Sequence, residues 1–419
     1  MNDKAQDLAA AEIIPPIRVP AAWTMGGLIA GLALGILLSA NPEAAAVQPV
    51  LKKIGELWLR GLQATIAPLV VSLLIVGVHQ TVAAANAGVL ARRTLLTILV
   101  LLGLAGAMSA LVTPLLLEQF PIPARAAEAL LNAQATNAPV PSLLDFLDSL
   151  VPANVLAAAS SDAMLPLILF TAVFALATTR LAPPLRQAMF DFFAAMTGAM
   201  MVIVGWVLKA APLGVFAMAY AVAAKSGVGA VAVLAHYILL VVTVGSLVLF
   251  AAYAVAVFGA RLSFTHFARS VLPAQSLALP TQSSLACLPA MVTATRELGA
   301  RSTTAELVLP LAVALFRATS PAINFAVVIY IAKLTGVAIT PTMLIIGFGV
   351  TLLTSLGAVS LPGSISFISV IAPICLATGV PIAPLGLLVA VEMFPDLMRT
   401  LGNVTMDIAV TAAIDRRTP

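Results

Sequence analysis

The chain has 419 residues, of which 61% are hydrophobic and 9% are charged, and its mean hydropathy is +1.10. Water-soluble globular domains carry about a quarter charged residues, so this composition excludes that class and predicts a polytopic membrane protein. The net charge of +4 is small. Because the basic residues lie mostly in short connections between apolar runs, the charge indicates membrane orientation and no binding to nucleic acid.

In chain order, six apolar spans are predicted before residue 260. They lie near residues 19–40, 50–81, 95–117, 150–179, up to 212, and 228–258. The second is longer than the roughly 20 residues that cross a bilayer, so we expect it to tilt or to extend past the membrane. The fifth ends in WVLKAAPLGVF, where the proline indicates a break in the helix.

If the spans alternate in direction, one end of the bundle collects the basic residues. They are Arg92, Arg93, Arg180, Arg186, Arg261, Arg269, Arg416 and Arg417. The positive-inside rule predicts that this end and both termini are cytoplasmic, with the protein in the cell's inner (plasma) membrane and the net acidic loop after the third span outside. Tryptophan is typical of the membrane interface, and that position is predicted for Trp23, Trp58 and Trp206.

Two later stretches are too broken for ordinary spans and too apolar for loops. Residues 263–299 contain the polar core LPTQSSLACLP, and residues 340–381 contain GAVSLPGSIS. Non-helical backbone at membrane depth is tolerated where protein or a water-filled cavity satisfies it. Both stretches are therefore predicted to be re-entrant helical hairpins, one entering from each side of an inverted repeat. The alternative is that Gln282, Ser283 and Ser284 are ordinary helix-packing polar residues.

The last apolar stretch, residues 381–414, contains acids, an arginine and amides. They are Glu392, Asp396, Arg399, Thr400, Asn403 and Asp407. At about 100° per residue these positions fall within an arc of roughly 100° on one helix. Charged groups at membrane depth are costly unless they are paired or wetted, so this polar face predicts a transport site.

The order of these segments resembles the glutamate transporter homologue family, also called the dicarboxylate/amino acid:cation symporter family. The resemblance rests on TQSSLACLPAMVTATRELG in the first hairpin, VLPLAVALFRATS in the seventh span, LPGS in the second hairpin and DLMRTLGNVTMD in the eighth span. The blocks VPANVLAAASSDAMLPLILFTAVFALA and WVLKAAPLGVF resemble the family's fourth and fifth segments. The resemblance thus covers nearly the whole chain.

The resemblance implies an all-α polytopic membrane protein with eight transmembrane helices and two re-entrant hairpins, working as an elevator transporter and assembled as a homotrimer. Residues 1–80 and 121–227 would form a scaffold. Residues 81–120 and 228–419 would form the mobile transport domain. The second hairpin would act as the outer gate.

The family's substrate residues correspond, position by position, to Asp396 for the substrate amine and Arg399 for its side-chain carboxylate. Further implied contacts come from the hairpin tips and the last two spans: Ser283, Ser284, Ser320, Pro362, Gly363, Thr400 and Asn403. A planar guanidinium suits a carboxylate and a nearby acid suits an ammonium, so the two groups favour an acidic amino acid, aspartate or glutamate, over a plain dicarboxylate. A C4 dicarboxylate stays the alternative substrate. Alternatively, Asp396 and Arg399 merely neutralise each other at i,i+3.

The seventh span departs from the family pattern. Sodium-coupled members carry Asn-Met-Asp-Gly-Thr there, whereas this chain has Phe316, Arg317, Ala318, Thr319 and Ser320. We interpret Arg317 as a tethered cation that replaces sodium. Because arginine stays protonated, the driving ion would then be a proton carried by Glu392, Asp396 or Asp407. The alternatives are a sodium-coupled symporter that uses the remaining ligands Asn403 and Asp407, and an uncoupled facilitator or exchanger.

Other function classes fit the sequence less well. An intramembrane enzyme would need a nucleophile with a base or a metal set, yet His79, His236 and His266 lie outside the polar segments. A channel would need a continuous polar lining, whereas the polar residues form one block. No metal or other cofactor is predicted, and Cys287 and Cys375 are interpreted as small buried hydrophobes.

Overall fold

The structure is a computed structural model that describes residues 21–38, 42–86, 88–123, 154–160, 164–226, 229–357 and 363–416. Several predictions fall outside these residues. They concern the N-terminal arm, most of the acidic loop, Pro362 and Arg417.

The first half of the chain forms eight helices. They are α1 (Ala21–Leu37), α2 (Pro42–Gln63), α3 (Ile66–Asn86), α4 (Val89–Gln119), α5 (Val155–Ser160), α6 (Met164–Thr178), α7 (Pro183–Lys209) and α8 (Ala211–Ser226). Pro183 stands at the first position of α7, where its missing N–H is tolerated. The predicted break before Pro212 is confirmed, because α7 ends at Lys209 and α8 begins at Ala211.

The second half begins with a long helix, α9 (Gly229–Ala254), which ends in a π turn (Val255–Gly259). The following helices are α10 (Phe264–Thr281), α11 (Leu288–Glu297), α12 (Ser302–Leu315), α13 (Ser320–Leu334), α14 (Pro341–Gly357), α15 (Gly363–Ala377), α16 (Leu385–Leu388) and α17 (Met393–Arg416), with a 3-10 turn (Val389–Val391) before the last. The described part of the chain is thus all-helical, and the predicted fold class is confirmed at that level.

Each predicted hairpin is a pair of helices separated by an interruption. Ser263 caps α10 by accepting a hydrogen bond from the His266 backbone N–H, and α10 ends where Gln282 adopts a left-handed conformation with φ of 48°. In the second pair, α14 ends at Gly357 and α15 starts at Gly363. Whether these pairs are re-entrant in a membrane stays a prediction.

Five helical stretches are long and apolar enough to cross a membrane, judged by length and composition. They are Val47–Asn86, Val89–Gln119, Pro183–Lys209, Gly229–Gly259 and Ser302–Leu334. Further apolar helices in the described ranges are shorter. A count of eight spans is therefore still a prediction, whereas an integral membrane protein follows from the apolar helices.

Close backbone contact holds the first helix in place. Gly27 and Gly31 of α1 face the backbone of α8, and a Cβ atom at Gly31 would lie 2.5 Å from the Phe216 carbonyl oxygen. Small residues allow such close approach between membrane helices. The nearby Trp58 is only 7% exposed and donates a hydrogen bond from its indole N–H to the Val207 carbonyl oxygen at 3.0 Å. Trp58 therefore packs against protein, and its predicted depth at the membrane interface stays a prediction.

Two other groups of helices form the remaining core. The last helix, α17, packs along α9 and against α10, α11 and α12, while α13 packs on α4. A hydrogen bond of 2.7 Å from the Ser109 hydroxyl to the Ala322 carbonyl oxygen fixes α4 to α13. These contacts bring the start of α17 and the connection between α12 and α13 together.

Candidate functional site

The centre of the candidate site is Arg399, whose side chain is almost fully buried in α17. Its Nη2 donates to Glu392 Oε1 at 2.6 Å, and its Nη1 donates to Asn324 Oδ1 at 2.7 Å. Its Nε lies 3.3 Å from Asp396 Oδ1. Charge-assisted bonds of this kind are the strong ones in proteins, and buried charges persist only when they are paired.

This cluster holds more hydrogen-bonding capacity than its members use. Among the described residues, Glu392 Oε2, Asn324 Nδ2 and Arg399 Nε are buried without a hydrogen-bond partner. Buried polar atoms are normally satisfied, so each exception needs an explanation. A polar ligand bound between α13 and α17 could accept hydrogen bonds from the two unsatisfied nitrogen atoms and donate one to the unsatisfied carboxyl oxygen.

The seventh span is interrupted beside this cluster. Residues 316–319 separate α12 from α13, and Phe316 has an extended backbone. Thr319 attaches this interrupted segment to α17, because its backbone N–H and its hydroxyl both donate hydrogen bonds of 2.9 Å to Asn403 Oδ1. The hydroxyl also lies 3.2 Å from the Arg399 carbonyl oxygen. The N-terminus of α13, with its partial positive charge, thus lies next to Arg399 and Asn403 in the N-terminal half of α17.

Arg317 lies in the interruption itself, with its side chain half-buried. It interacts electrostatically with Arg399, which repels it, and with Asp396 and Glu392, which attract it. The cluster therefore contains two arginines and two carboxyl groups, and its formal charges balance when both acids are ionised. An arginine at this position supplies the positive charge that a bound cation would otherwise bring.

A further acid lies deeper in α17. Asp407 has no exposed surface, and in the described part of the chain neither carboxyl oxygen has a hydrogen-bond partner. The Thr411 hydroxyl donates to the backbone carbonyl of Asp407 and leaves the carboxyl group unsatisfied. A carboxylate buried in this way is costly, so it is expected to bind a proton or another cation.

The other predicted site residues lie at different distances from Arg399. Ser320 is buried at the start of α13, with no hydroxyl partner among the described residues, and Thr400 donates to the Asp396 carbonyl oxygen at 3.1 Å. Ser283 and Ser284 lie partly exposed in the interruption between α10 and α11, where Ser283 Oγ accepts from the Ala286 N–H. No hydrogen bond in the described ranges joins these two serines to Arg399 or Asp396.

The tip of the second hairpin is only partly described. Gly363 begins α15, and Pro362 lies outside the described residues. The predicted polar face of the eighth span extends one residue beyond the start of α17. Glu392 lies just before Met393, but its φ of −58° and ψ of −23° are helical, and its carbonyl oxygen accepts a hydrogen bond from the Asp396 N–H at 2.9 Å.

Two functional candidates were missed by the sequence interpretation. Asn324 binds Arg399, and Thr319 binds Asn403. Asn324 had a usable signal, since it is an amide in the otherwise apolar run SPAINFAVVIYIAKL, and polar side chains within membrane spans usually mark a function. Thr319 had no such signal, because threonine commonly bonds its own helix backbone.

Comparison with known proteins shows the family of the chain. The profile described as the sodium:dicarboxylate symporter family matches residues 21–417. A proton/sodium-glutamate symport protein of Bacillus caldotenax is 27% identical over 402 residues, which cover 92% of each chain.

Two further relatives have similar coverage. A proton/glutamate-aspartate symporter of Escherichia coli strain K12 is 25% identical, with 93% of this chain and 90% of that protein covered. A C4-dicarboxylate transport protein of Ralstonia nicotianae is 26% identical, with 94% and 89% covered. The chain therefore belongs to the sodium:dicarboxylate symporter family, whose members are transport proteins and not enzymes.

Proposed function

We propose that the protein is a secondary transporter of anionic substrates with two carboxylate groups, namely aspartate, glutamate or a C4 dicarboxylate. The observation that carries this proposal is the buried guanidinium of Arg399, held between Glu392 and Asn324. A buried arginine with a fixed plane is suited to bind a carboxylate through two parallel hydrogen bonds. The named activities of the relatives support the same class of substrate.

Substrate and Glu392 would compete for the same guanidinium. Glu392 occupies Nη2 at 2.6 Å, where a substrate carboxylate would bind. Protonation of Glu392 would remove its charge, weaken this contact and favour the substrate. In this mechanism one proton accompanies each productive binding event, and Asp396 binds the substrate amine where the substrate has one.

Arg317 would act as a tethered cation in the interrupted seventh span. Its charge balances Glu392 and Asp396 without an added ion. An arginine stays protonated at accessible pH and is fixed to the chain, so it cannot itself be the transported cation. The balance of charge thus supports proton coupling over sodium coupling.

One observation favours a second candidate, a sodium-coupled symporter of the same substrates. Both carboxyl oxygens of Asp407 are buried without a hydrogen-bond partner in the described residues, and hard cations take oxygen ligands of this type. A sodium ion or a proton would each satisfy Asp407. The two candidates differ in the ion gradient that drives accumulation.

The transport cycle proposed here is an elevator movement within a homotrimer in the plasma membrane, with both termini cytoplasmic. The scaffold would consist of residues 1–80 and 121–227, and the moving domain of residues 81–120 and 228–419. Ser283, Ser284, Ser320, Pro362 and Gly363 would complete the substrate site when the hairpin tips close. The packing of α9, α10, α11 and α12 around α17 supports a single moving body.

Uptake into proteoliposomes tests the function. Labelled L-aspartate, L-glutamate and succinate are offered under a proton gradient or a sodium gradient at matched membrane potential. We expect an inward proton gradient alone to drive accumulation, and Arg317→Met to abolish it. Accumulation that requires sodium would refute the tethered cation and support the second candidate, and uptake of none of the substrates would refute the substrate class.

A further inference from the structure

A groove with a volume of about 600 Å³ lies on the surface at one end of the bundle, away from Arg399. It runs between the start of α4, the π turn that ends α9 and the end of α17. Its lining is almost wholly apolar and includes Leu96, Val100, Phe258, Gly259, Ala413 and Ile414. This volume is typical of small-molecule sites, which range from roughly 300 to 1,000 Å³.

Ala413 and Ile414 of this lining are buried, whereas other apolar side chains of the groove are exposed. Phe258 is 82% exposed and Leu96 is 63% exposed. In a membrane protein such surface faces lipid, so exposure alone carries no function. The shape is the distinguishing feature, because three helix ends enclose a cleft where an ordinary lipid-facing surface is convex.

Each of the three segments that line the groove carries one or two arginines within a helical turn of its lining residues. On α4 the lining positions Leu96 and Thr97 follow Arg92 and Arg93 by one helical turn, which places both arginines on the same stripe. Arg261 follows Gly259 by two residues, and Arg416 follows Ala413 by three. All four arginine side chains are exposed. The groove is therefore apolar along its length and strongly basic at its mouth.

We propose that this groove binds an anionic phospholipid, with an acyl chain between α4, α9 and α17 and the phosphate among the four arginines. Only an amphipathic anion matches both parts of the site. Free phosphate would leave the apolar cleft unused, and a neutral lipid would bring no net negative charge to the four arginines. The positive-inside rule predicts this end to be cytoplasmic, and that leaflet of a membrane carries anionic lipids.

Bound lipid would hold together three helices that belong to the proposed moving body. The C-terminal end of α17 lines the groove, and the proposed substrate residues lie toward the N-terminal end of the same helix. Helix α9 packs along α17. Occupancy is therefore expected to stabilise this body without touching the substrate site. The proposal does not depend on which ion or substrate is transported.

The test is native mass spectrometry of the purified full-length protein in detergent, titrated with phosphatidylglycerol, phosphatidylethanolamine or phosphatidylcholine of equal chain length, and with inorganic phosphate. We expect phosphatidylglycerol to be retained at least about fivefold better than the neutral lipids, since each basic residue near an anionic headgroup contributes about that factor. The double variant R92Q/R93Q is expected to lower retention about 25-fold, a factor of about five for each arginine. Val100→Trp, which fills the cleft, is expected to lower it similarly.

The matched control is R180Q/R186Q, which removes two exposed arginines of the same predicted membrane side away from the groove. We expect this control to retain phosphatidylglycerol like the wild type. Equal loss in both double variants would mean general surface charge, and retention by Val100→Trp would mean a headgroup site without a chain site. Equal retention of neutral lipids would mean bulk lipid only. Each of these results would overturn the proposal.

Discussion

The contact between Glu392 and Arg399 has to form when the site is empty and to weaken when substrate binds. Arg399 needs an anionic partner when the site is empty, because an unpaired buried charge costs about 3–5 kcal/mol. The same partner obstructs a substrate carboxylate when the site is filled. A group that can lose its charge by protonation meets both needs, and Glu392 is 2.6 Å from Nη2.

Glu392→Gln keeps the shape of the side chain and removes its charge. In the wild type, ionised Glu392 competes with substrate, so the KM for uptake is expected to rise with pH by up to about tenfold per unit, the limit for one proton. The variant is expected to have a low KM that does not vary with pH. Uptake and exchange in proteoliposomes at several pH values measure this.

The exposed acid Glu306 provides a matched control, since Glu306→Gln changes the same chemistry outside the site. It is expected to retain the pH dependence of the wild type. A Glu392→Gln variant whose KM still rises with pH would locate the titrating group elsewhere, with Asp407→Asn as the next variant to measure.

Arg399→Lys separates charge from geometry. Lysine keeps the positive charge beside Glu392 and Asp396, so the fold is expected to survive, whereas a neutral residue would remove the ion pairs that both acids form with position 399. Lysine lacks the planar fork, and we expect substrate affinity to fall by about tenfold or more. Binding of labelled aspartate to the purified protein measures it, and unchanged affinity would exclude Arg399 from the substrate site.

At the level of helices, small residues determine which elements can approach closely. A Cβ atom at Gly31 would lie 2.5 Å from the Phe216 carbonyl oxygen, a distance that real Cβ contacts do not show. Gly31→Ala is therefore expected to push α1 away from α8 and lower the melting temperature by several degrees, about 1–3 kcal/mol of overpacking.

Gly26 on the same helix is the control, because a Cβ atom there meets nothing within 4 Å. Gly26→Ala is expected to be neutral or slightly stabilising, since alanine favours a helix by about 1 kcal/mol over glycine. Thermal unfolding in detergent compares the two variants. Equal melting temperatures would mean that α1 does not need this close contact.

Helix interruptions were predictable from the sequence, whereas side-chain partners were not. Proline, glycine and polar tips indicated the breaks after Lys209, Thr281 and Gly357, because these residues disfavour continued helix. The polar face of the last span also gave Glu392, Asp396 and Arg399. The partner Asn324 lies 75 positions from Arg399 in the chain, and helical periodicity carries no information at that distance.

The sequence also did not predict which aromatic side chains are buried against other helices. Residue type predicts a depth for Trp58 at the membrane interface, but it did not predict that Gly214 leaves room for its ring or that the Val207 carbonyl accepts its N–H. Whether a tryptophan meets lipid or protein depends on the neighbouring helix. That neighbour is set by packing between segments 149 residues apart.

For the whole molecule, an elevator movement requires one body to slide against another. Helix α3 of the proposed scaffold packs on α14 and α15 of the proposed moving body, and Leu73 and Ser369 line one small cavity at this contact. Within the moving body, Ser109 and Ala322 are joined by a hydrogen bond. The first pair must separate during transport if the division is right, and the second must not.

Cysteine pairs test this division in a background with Cys287 and Cys375 replaced by alanine. Oxidation of the pair Leu73→Cys with Ser369→Cys is expected to stop uptake, to leave substrate binding intact, and to be reversed by reductant. Oxidation of Ser109→Cys with Ala322→Cys is expected to leave uptake unchanged, because both residues would travel together. Continued uptake by the first cross-linked pair would mean that α3 and α15 do not move apart, and the substrate would then have to cross by opening of the hairpins alone.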